Sequence, residues 1–457
     1  MHILVNGDVR ACFKANPLPQ VLYYEAMTIY TVKSGDTVYS IARQFGVPPS
    51  RIITDNFLTD PSRLGEGQDL VILFPVQTHT VRGGETLYSI SEEFGVSIGD
   101  LYRNNPSLNG TPSVFPGQVL NIAYEAPPLG SISTNGYVYP FIDRTVLRRT
   151  LPYLTYLSVF TYGITDEGEL IEPTGGDEEI IATAKEYGTV PLMMLTSLGA
   201  DGKFSNALAE RVLGDGAFAS IVARNAYDTA IQKGYGGIDV DFEYVPSSVA
   251  AAYGDFISKL QELFGELPVF VSLAPKYSAD QRGLLYEGHD YGLLGSLADY
   301  LLLMTYEWGY TYGPPMAVSP INQVRRVVDY AVSEIPSEKL FLGMPNYGYD
   351  WSLPYVRGES RAESLSNEDA LARAITRGAP IMYDETSAAP YYRYYDRPST
   401  YSDAVEHEVW FENARSVDAM ARLASEYSMG GIGVWNVMKY FPQMWAVLNS
   451  LYRIRKI

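Results

Sequence analysis

Asp239, Asp241 and Glu243 occupy every second position of the stretch GGIDVDFEYV (236–245), with Val240 and Phe242 between them. Alternate residues of an extended strand share a face. The spacing therefore predicts three carboxylates on one side of a strand and two large apolar side chains on the other. Carboxylates this close repel unless one keeps its proton or hydrogen bonds neutralise the rest. Crowding by the two aspartates is expected to raise the pKa of at least one group. A carboxyl that holds its proton near neutral pH is what a general acid requires. Glu243, last in the series, is the expected proton donor.

A strand with charges on one face needs a scaffold that buries both faces and leaves one end open. From residue 130 onward, apolar runs alternate with helical stretches. NGYVYP (135–140), YLTYLSVFTY (153–162), TVPLMMLTS (189–197), GGIDVDFEY (236–244), PVFVSLAP (268–275), DYLLLMTYEW (299–308), KLFLGMPNY (339–347) and GGIGVWNV (430–437) read as strands. Near-continuous apolar strands separated by helices indicate a buried parallel sheet. Eight such units predict a closed (β/α)8 barrel, the TIM-barrel form of the α/β class, whose sites lie at the C-terminal ends of the strands. A doubly wound open sheet is the alternative, but no Gly-rich phosphate loop follows the first strands. In a closed barrel the fourth strand has no exposed edge, so Asp239, Asp241 and Glu243 should face inward. Residues 351–408 are too many for a loop and a helix, and are read as a small α+β insertion forming one wall of a cleft.

Upstream lies an internal repeat. YTVKSGDTVYSIARQFGV from Tyr30 matches HTVRGGETLYSISEEFGV from His79, and the likeness persists at TDN (54–56) against RNN (103–105) and at GEGQDLVI against FPGQVLNI. Each copy reads as strand, turn, two helices and strand, with apolar positions at helical spacing. The repeat resembles the LysM module, over residues 29–75 and 79–124. That resemblance implies binding of N-acetylglucosamine-containing glycans such as peptidoglycan and chitin. Residues 1–28 are expected to be a leader segment of little structural role, and 125–457 the barrel domain.

The barrel also carries a resemblance. GGIDVDFE resembles the signature of glycoside hydrolase family 18, Asp-Gly-hydrophobic-Asp-hydrophobic-Asp-x-Glu, with Gly236 in place of the first aspartate. MTYEW (304–308) is similar to the sixth-strand motif Met-x-Tyr-Asp, with Glu307 for Asp, and GMPNYG (343–348) to the seventh-strand motif. The likeness is strongest to LysM-bearing N-acetylglucosaminidases of bacterial spores, which act on cortex peptidoglycan. It implies a substrate-assisted, retaining mechanism, an exception to the two-carboxylate scheme. The substrate's acetamido oxygen attacks the anomeric carbon, and Glu243 protonates the leaving oxygen and then activates water. Asp241 accepts the acetamido N–H, Asp239 shares a proton with Asp241, and Tyr306 donates to the acetamido oxygen. Trp435 is expected beneath the sugar, with Met304, Glu307 and Tyr347 lining the same pocket. No cofactor and no metal are implied.

Composition narrows the partners. A formal net charge of −19 over 457 residues repels nucleic-acid phosphates and anionic lipid. The lone cysteine, Cys12, excludes an intramolecular disulfide, and His2, His79, His289 and His407 show no ligand spacing. No apolar run approaches the roughly 20 residues of a membrane helix. The N-terminus lacks a basic start and a continuous apolar core, so a signal peptide is not expected. Synthesis in the cytoplasm, association with spore or cell wall, and a monomeric state are expected. The 37 tyrosines suit contact with sugar rings. A chitinase, and a non-catalytic glycan-binding spore-surface protein, are the alternatives.

Overall fold

Thr37 and Thr86, equivalent in the repeat, each open a helix, Val38–Phe45 and Leu87–Phe94. In both, the threonine hydroxyl accepts from a serine N–H three residues on, and the serine hydroxyl accepts from the threonine N–H. The computed structural model in which these elements are seen describes residues 26–457 apart from 126, 128, 200, 201 and 398–402. Cys12, His2 and most of the expected leader lie outside the described residues. Each module continues with a second helix, Pro49–Asp55 or Ile98–Asn104, and closes a two-stranded antiparallel sheet. Asn56 and Asn105 explain why TDN matches RNN. Each side-chain amide donates to the second helix and to the closing strand, and its oxygen accepts an N–H from that strand, at 2.7–3.1 Å.

Eight parallel strands close a barrel: Ser131–Val138, Tyr156–Ile164, Val190–Thr196, Ile238–Asp241, Val269–Leu273, Tyr300–Leu303, Leu340–Pro345 and Gly431–Trp435. The first strand pairs with both the second and the eighth, which closes the cylinder. Ile238, Val240 and Phe242 are fully buried in the core shared with the outer helices, while Tyr137, Tyr156, Met194, Phe270 and Phe341 fill the interior. Burial of both faces explains the near-continuous apolar runs. Two ladders end markedly earlier than the sequence suggests. The fourth stops at Asp241, and the sixth at Leu303. Beyond these points Tyr244 (φ 55°) and Glu307 (φ 67°) take left-handed backbone conformations, so the chain turns away from the ladder at the barrel mouth.

The insertion is a five-stranded antiparallel sheet (Gly348–Ser352, Glu363–Leu365, Met382–Asp384, Ala389–Asp396, Val405–Trp410) with the helix Asn367–Arg377 against it. It starts three residues before the expected Trp351. Both modules are docked on the barrel. Met27, Val71 and Leu73 of the first belong to the barrel's own apolar core, and the Ile381 N–H of the insertion donates to the Glu66 carbonyl at 2.9 Å. Arg103 of the second module donates to the Pro152 carbonyl at 3.0 Å and accepts the Tyr153 hydroxyl on its own carbonyl at 2.9 Å. Among the described residues no helix is long and apolar enough to cross a membrane.

Candidate active site

The fourth strand delivers its acids as the two-residue period requires. Asp239 is fully buried inside the barrel, and Asp241 is 4% exposed. The Asp239 Oδ2 accepts the Ser158 hydroxyl at 2.7 Å and the Asn135 amide at 3.5 Å, from the second and first strands. Burial nevertheless pushes Asp239 up to about 6. No hydrogen bond joins the two aspartates, and one oxygen of each, Oδ1, has no partner. Asp239 is thus tied to the second and first strands through Ser158 and Asn135. Asp241 is held well above the usual carboxylate range by burial, then by Glu243, then by Asp239.

Glu243 lies just past the ladder, at the mouth. Its pKa is pushed up to about 7, first by burial and then by the charge of Glu307. In place of the two aspartates expected from the spacing, the charge that raises Glu243 comes from across the cleft. Glu307 in turn accepts the Tyr347 hydroxyl and, at 2.9 Å, the Tyr349 hydroxyl. Those two bonds oppose the effect of burial, which raises Glu307 itself.

Tyr306 lies near enough to these acids to feel their charge. Burial drives its hydroxyl pKa far up, helped by Asp241, Glu243, Asp239 and Glu307 in that order, so it is a neutral donor facing a concentration of negative charge. The Thr305 hydroxyl donates to the Gly343 carbonyl at 2.8 Å, and the Ser319 hydroxyl donates to the Thr305 carbonyl at 2.5 Å, pinning the segment that carries Tyr306. Met304 donates its N–H to the Leu273 carbonyl at 3.0 Å and packs among the interior aromatic residues.

Trp435 ends the eighth strand. It packs against Tyr137 (centroids 5.6 Å apart), Phe160 (5.4 Å) and Tyr139 (6.2 Å). Tyr137 links this aromatic floor to the acids, because its buried hydroxyl feels Asp239, Tyr306 and Asp241. All eight expected residues therefore share one end of the barrel: Asp239, Asp241, Glu243, Tyr306 and Glu307 by mutual electrostatics, Tyr347 through Glu307, and Trp435 and Met304 through the interior rings. Asn135, Tyr137 and Tyr139 were missed, although their alternation in NGYVYP is the signal that would have placed them on the inner face. Ser158, between Tyr156 and Phe160 on the second strand, carried the same signal, whereas Tyr349 carried none. Beside the floor, a hollow of about 240 Å3 is lined by Tyr139, Phe141, Phe160, Thr161, Ile171 and Leu198 among others.

Gly236 stands where the signature has its first aspartate, and the space beside it is tight. A Cβ at that position would lie 2.6 Å from Cγ1 of Val190, at the start of the third strand. Among the described residues no group of three or more His, Cys, Asp or Glu side chains is placed to hold a metal ion.

Comparison with known proteins agrees with this geometry. Residues 152–439 match the family described as glycosyl hydrolases family 18, and residues 30–73 and 79–123 each match the LysM domain. The chain is 36% identical over 438 residues to a cortical fragment-lytic enzyme of Bacillus subtilis (strain 168), covering 94% of this chain and 99% of that one. A crystal structure of the Bacillus cereus spore cortex-lytic enzyme SleL superposes with a TM-score of 0.78 at 34% identity, over 94% of this chain and 99% of that one. A chitinase structure from Chromobacterium violaceum is more distant, with a TM-score of 0.64 at 26% identity over 71% of this chain and all of that one. With more than half its length matching and its barrel closed around the signature acids, the chain belongs to glycosyl hydrolases family 18 and carries two LysM domains ahead of the barrel.

Proposed function

We propose that this protein hydrolyses N-acetylglucosamine linkages in peptidoglycan, its substrate being fragments of spore cortex, by a substrate-assisted mechanism with retention at the anomeric carbon. The observation that carries the reading is the clustering of Asp239, Asp241 and Glu243 with Tyr306 at the barrel mouth, with Glu243 pushed up to about 7. Glu243 is the general acid and then the base. Asp241 accepts the acetamido N–H and, sharing its proton with Asp239, stabilises the positive charge that develops on the oxazolinium ring. Tyr306 donates to the acetamido oxygen and holds it in line for attack. Trp435 forms the floor under the sugar, and the hollow beside it accommodates a neighbouring unit of the glycan.

Two observations support cortex rather than chitin. The likeness to cortex-lytic enzymes runs over 94% of the chain, through both LysM domains, the barrel and the insertion. The chitinase structure overlaps only 71% of it.

The test is Glu243→Gln, assayed on soluble cortex fragments with product identification by mass spectrometry. The expected result is a fold like the wild type and a loss of roughly 10²–10⁴ in kcat, with N-acetylglucosamine at the reducing end of the wild-type product. Wild-type turnover in the variant, or muramic acid at that reducing end, overturns the proposal.

A further inference from the structure

His289 is buried completely and lies outside the acid cluster, yet it grips the strand end that carries the proton donor. Its Nδ1 faces the N–H of Ala274 at 3.0 Å. A backbone N–H can only donate, so Nδ1 must be the bare, accepting nitrogen. The ring proton is therefore on Nε2, which donates to the Phe242 carbonyl at 3.1 Å. That carbonyl belongs to the peptide joining Phe242 to Glu243. It lies one residue past Asp241, where the ladder of the fourth strand has ended. His289 thus supplies a hydrogen bond at the point where strand pairing stops doing so.

The loop around His289 is itself fastened. The Lys276 ammonium donates to the His289 carbonyl at 2.8 Å. The Tyr291 hydroxyl donates to the Ala274 carbonyl at 2.6 Å and accepts the Lys276 N–H at 3.1 Å. A Cβ at Gly288 would fall 2.2 Å from the Val245 carbonyl oxygen, so the loop lies directly against the segment after Glu243. The Tyr253 ring meets His289 edge-on with centroids 6.1 Å apart, and Phe242 stacks between Tyr253 and Phe256 at 5.8 and 5.6 Å. Burial, with a smaller push from the nearby Lys276 charge, outweighs the opposing hydrogen bond to the Phe242 carbonyl and brings the imidazole down to about 4, so it stays neutral over the range in which Glu243 titrates.

We propose that His289 is a positioning residue for the catalytic acid: by fixing the fifth-strand end to the Phe242 carbonyl through a single tautomer, it sets the direction in which the Glu243 carboxyl enters the cleft. This rests on Glu243 being the general acid. A misplacement of about 1 Å in a reacting group can cost up to about 100-fold; a loosened peptide at Phe242 should cost about tenfold in kcat.

Two substitutions separate positioning from stability. In His289→Gln the side-chain amide reaches the Nε2 position and can still donate to Phe242, while the Ala274 bond is lost. In His289→Asn the shorter amide reaches the Nδ1 position and can accept from Ala274, while the Phe242 bond is lost. Each variant forfeits one buried hydrogen bond, so both should melt earlier by a similar amount. Only the Asn variant should lose about tenfold in kcat, with KM within twofold of wild type and the alkaline limb of its pH profile displaced. His289→Phe, which keeps the ring shape and loses both bonds, should show the same loss in kcat and replaces the Asn variant if that chain does not fold. Equal kcat in the Gln variant and in the folded Asn or Phe variant overturns the proposal. Glu243→Gln run in parallel distinguishes the two levels: if it is inactive while the His289 variants match one another, only the positioning role fails; if it retains turnover, the assignment of the acid fails.

Discussion

Glu307→Gln tests the electrostatic account of the acid directly. Glu243 is pushed from the ordinary glutamate value of 4.5 up to about 7, with burial the larger cause and Glu307 the second. The rise is about 2.5, so a second-ranked cause supplies less than half of it, and about 0.5–1 is a fair share for one charge across a partly buried cleft. Glutamine keeps the size of the side chain, and its carbonyl oxygen can still accept the Tyr347 and Tyr349 hydroxyls that hold Glu307 in place. What it removes is the charge. The sign follows from the chemistry. A general acid works in its protonated form, which is populated below its pKa. Removing a neighbouring negative charge makes ionisation of Glu243 easier and lowers that pKa. The alkaline limb of kcat/KM should therefore move to lower pH by about 0.5–1, so that activity at pH 8 falls about three- to tenfold while activity at pH 5.5 is little changed. Glu307→Asp keeps the charge on a shorter arm and should retain most of the alkaline limb. The assay is a pH profile of kcat/KM on soluble cortex fragments between pH 5 and 9, with melting checked at each end. An alkaline limb in Glu307→Gln that stays in place, or moves to higher pH, refutes the argument.

Two further outcomes follow from the fold. Gly67 and Gly117 are equivalent in the repeat and both have positive φ, 81° and 88°, so alanine at either should cost about 1 kcal/mol through backbone strain. Only at Gly67 would the new Cβ also strike the insertion, 1.9 Å from the Ile381 oxygen, so Gly67→Ala should lower the melting temperature clearly more than Gly117→Ala; equal effects would contradict the docking of the first module. Glu412 is buried with Oε1 unpartnered, and burial pushes it up to about 8. A carboxyl whose folded pKa is raised stabilises the fold below its unfolded value, near 4.5, and loses that contribution as pH rises through about 8. Glu412→Gln should therefore gain thermal stability over wild type progressively from pH 5 to pH 8, and a gain that is flat with pH would refute the cause given.

Much of this arrangement is legible in the sequence. The eight strands announce themselves because a parallel strand buried on both faces must be apolar along its length. The acids announce themselves because a period of two places them on one face, against the apolar trend. The repeat is visible because the same Thr, Asn and Gly positions solve the same capping and turn problems twice. What could not be read is what depends on approach between segments with no shared periodicity. Glu307 reaches Glu243 from the segment that follows the sixth strand, and the pKa of the acid depends on that approach. Ser158 and Asn135 hold Asp239 from two other strands, contacts that no spacing within the fourth strand announces. His289 was visible only as one of four histidines without ligand spacing, and its role depends on a loop folding back on the strand end.

The docking of the modules is the least legible feature, and it bears on how a glycan held by the modules would meet the barrel. Two LysM modules of similar sequence suggest two beads on a string. The structure treats them differently. The turn before the closing strand of the first module is buried at Gly65 and sealed by Ile375 and Ile381 of the insertion. The Asp69 carboxylate is enclosed with it, accepting from Thr31 at 2.6 Å and from Asn413 at 2.5 Å. The equivalent turn of the second module is open: Phe115 is 68% exposed, and a Cβ on Gly117 would meet nothing within 4 Å. Because the first module shares the barrel's apolar core, it cannot swing away without exposing that surface to water. The second is held by the charged and polar ties at Arg103 and Tyr153, so it too has a defined orientation. A glycan strand engaged by the modules would reach the barrel mouth at a fixed angle rather than through a flexible tether, so the local concentration of substrate at Glu243 would depend on geometry and not on linker length.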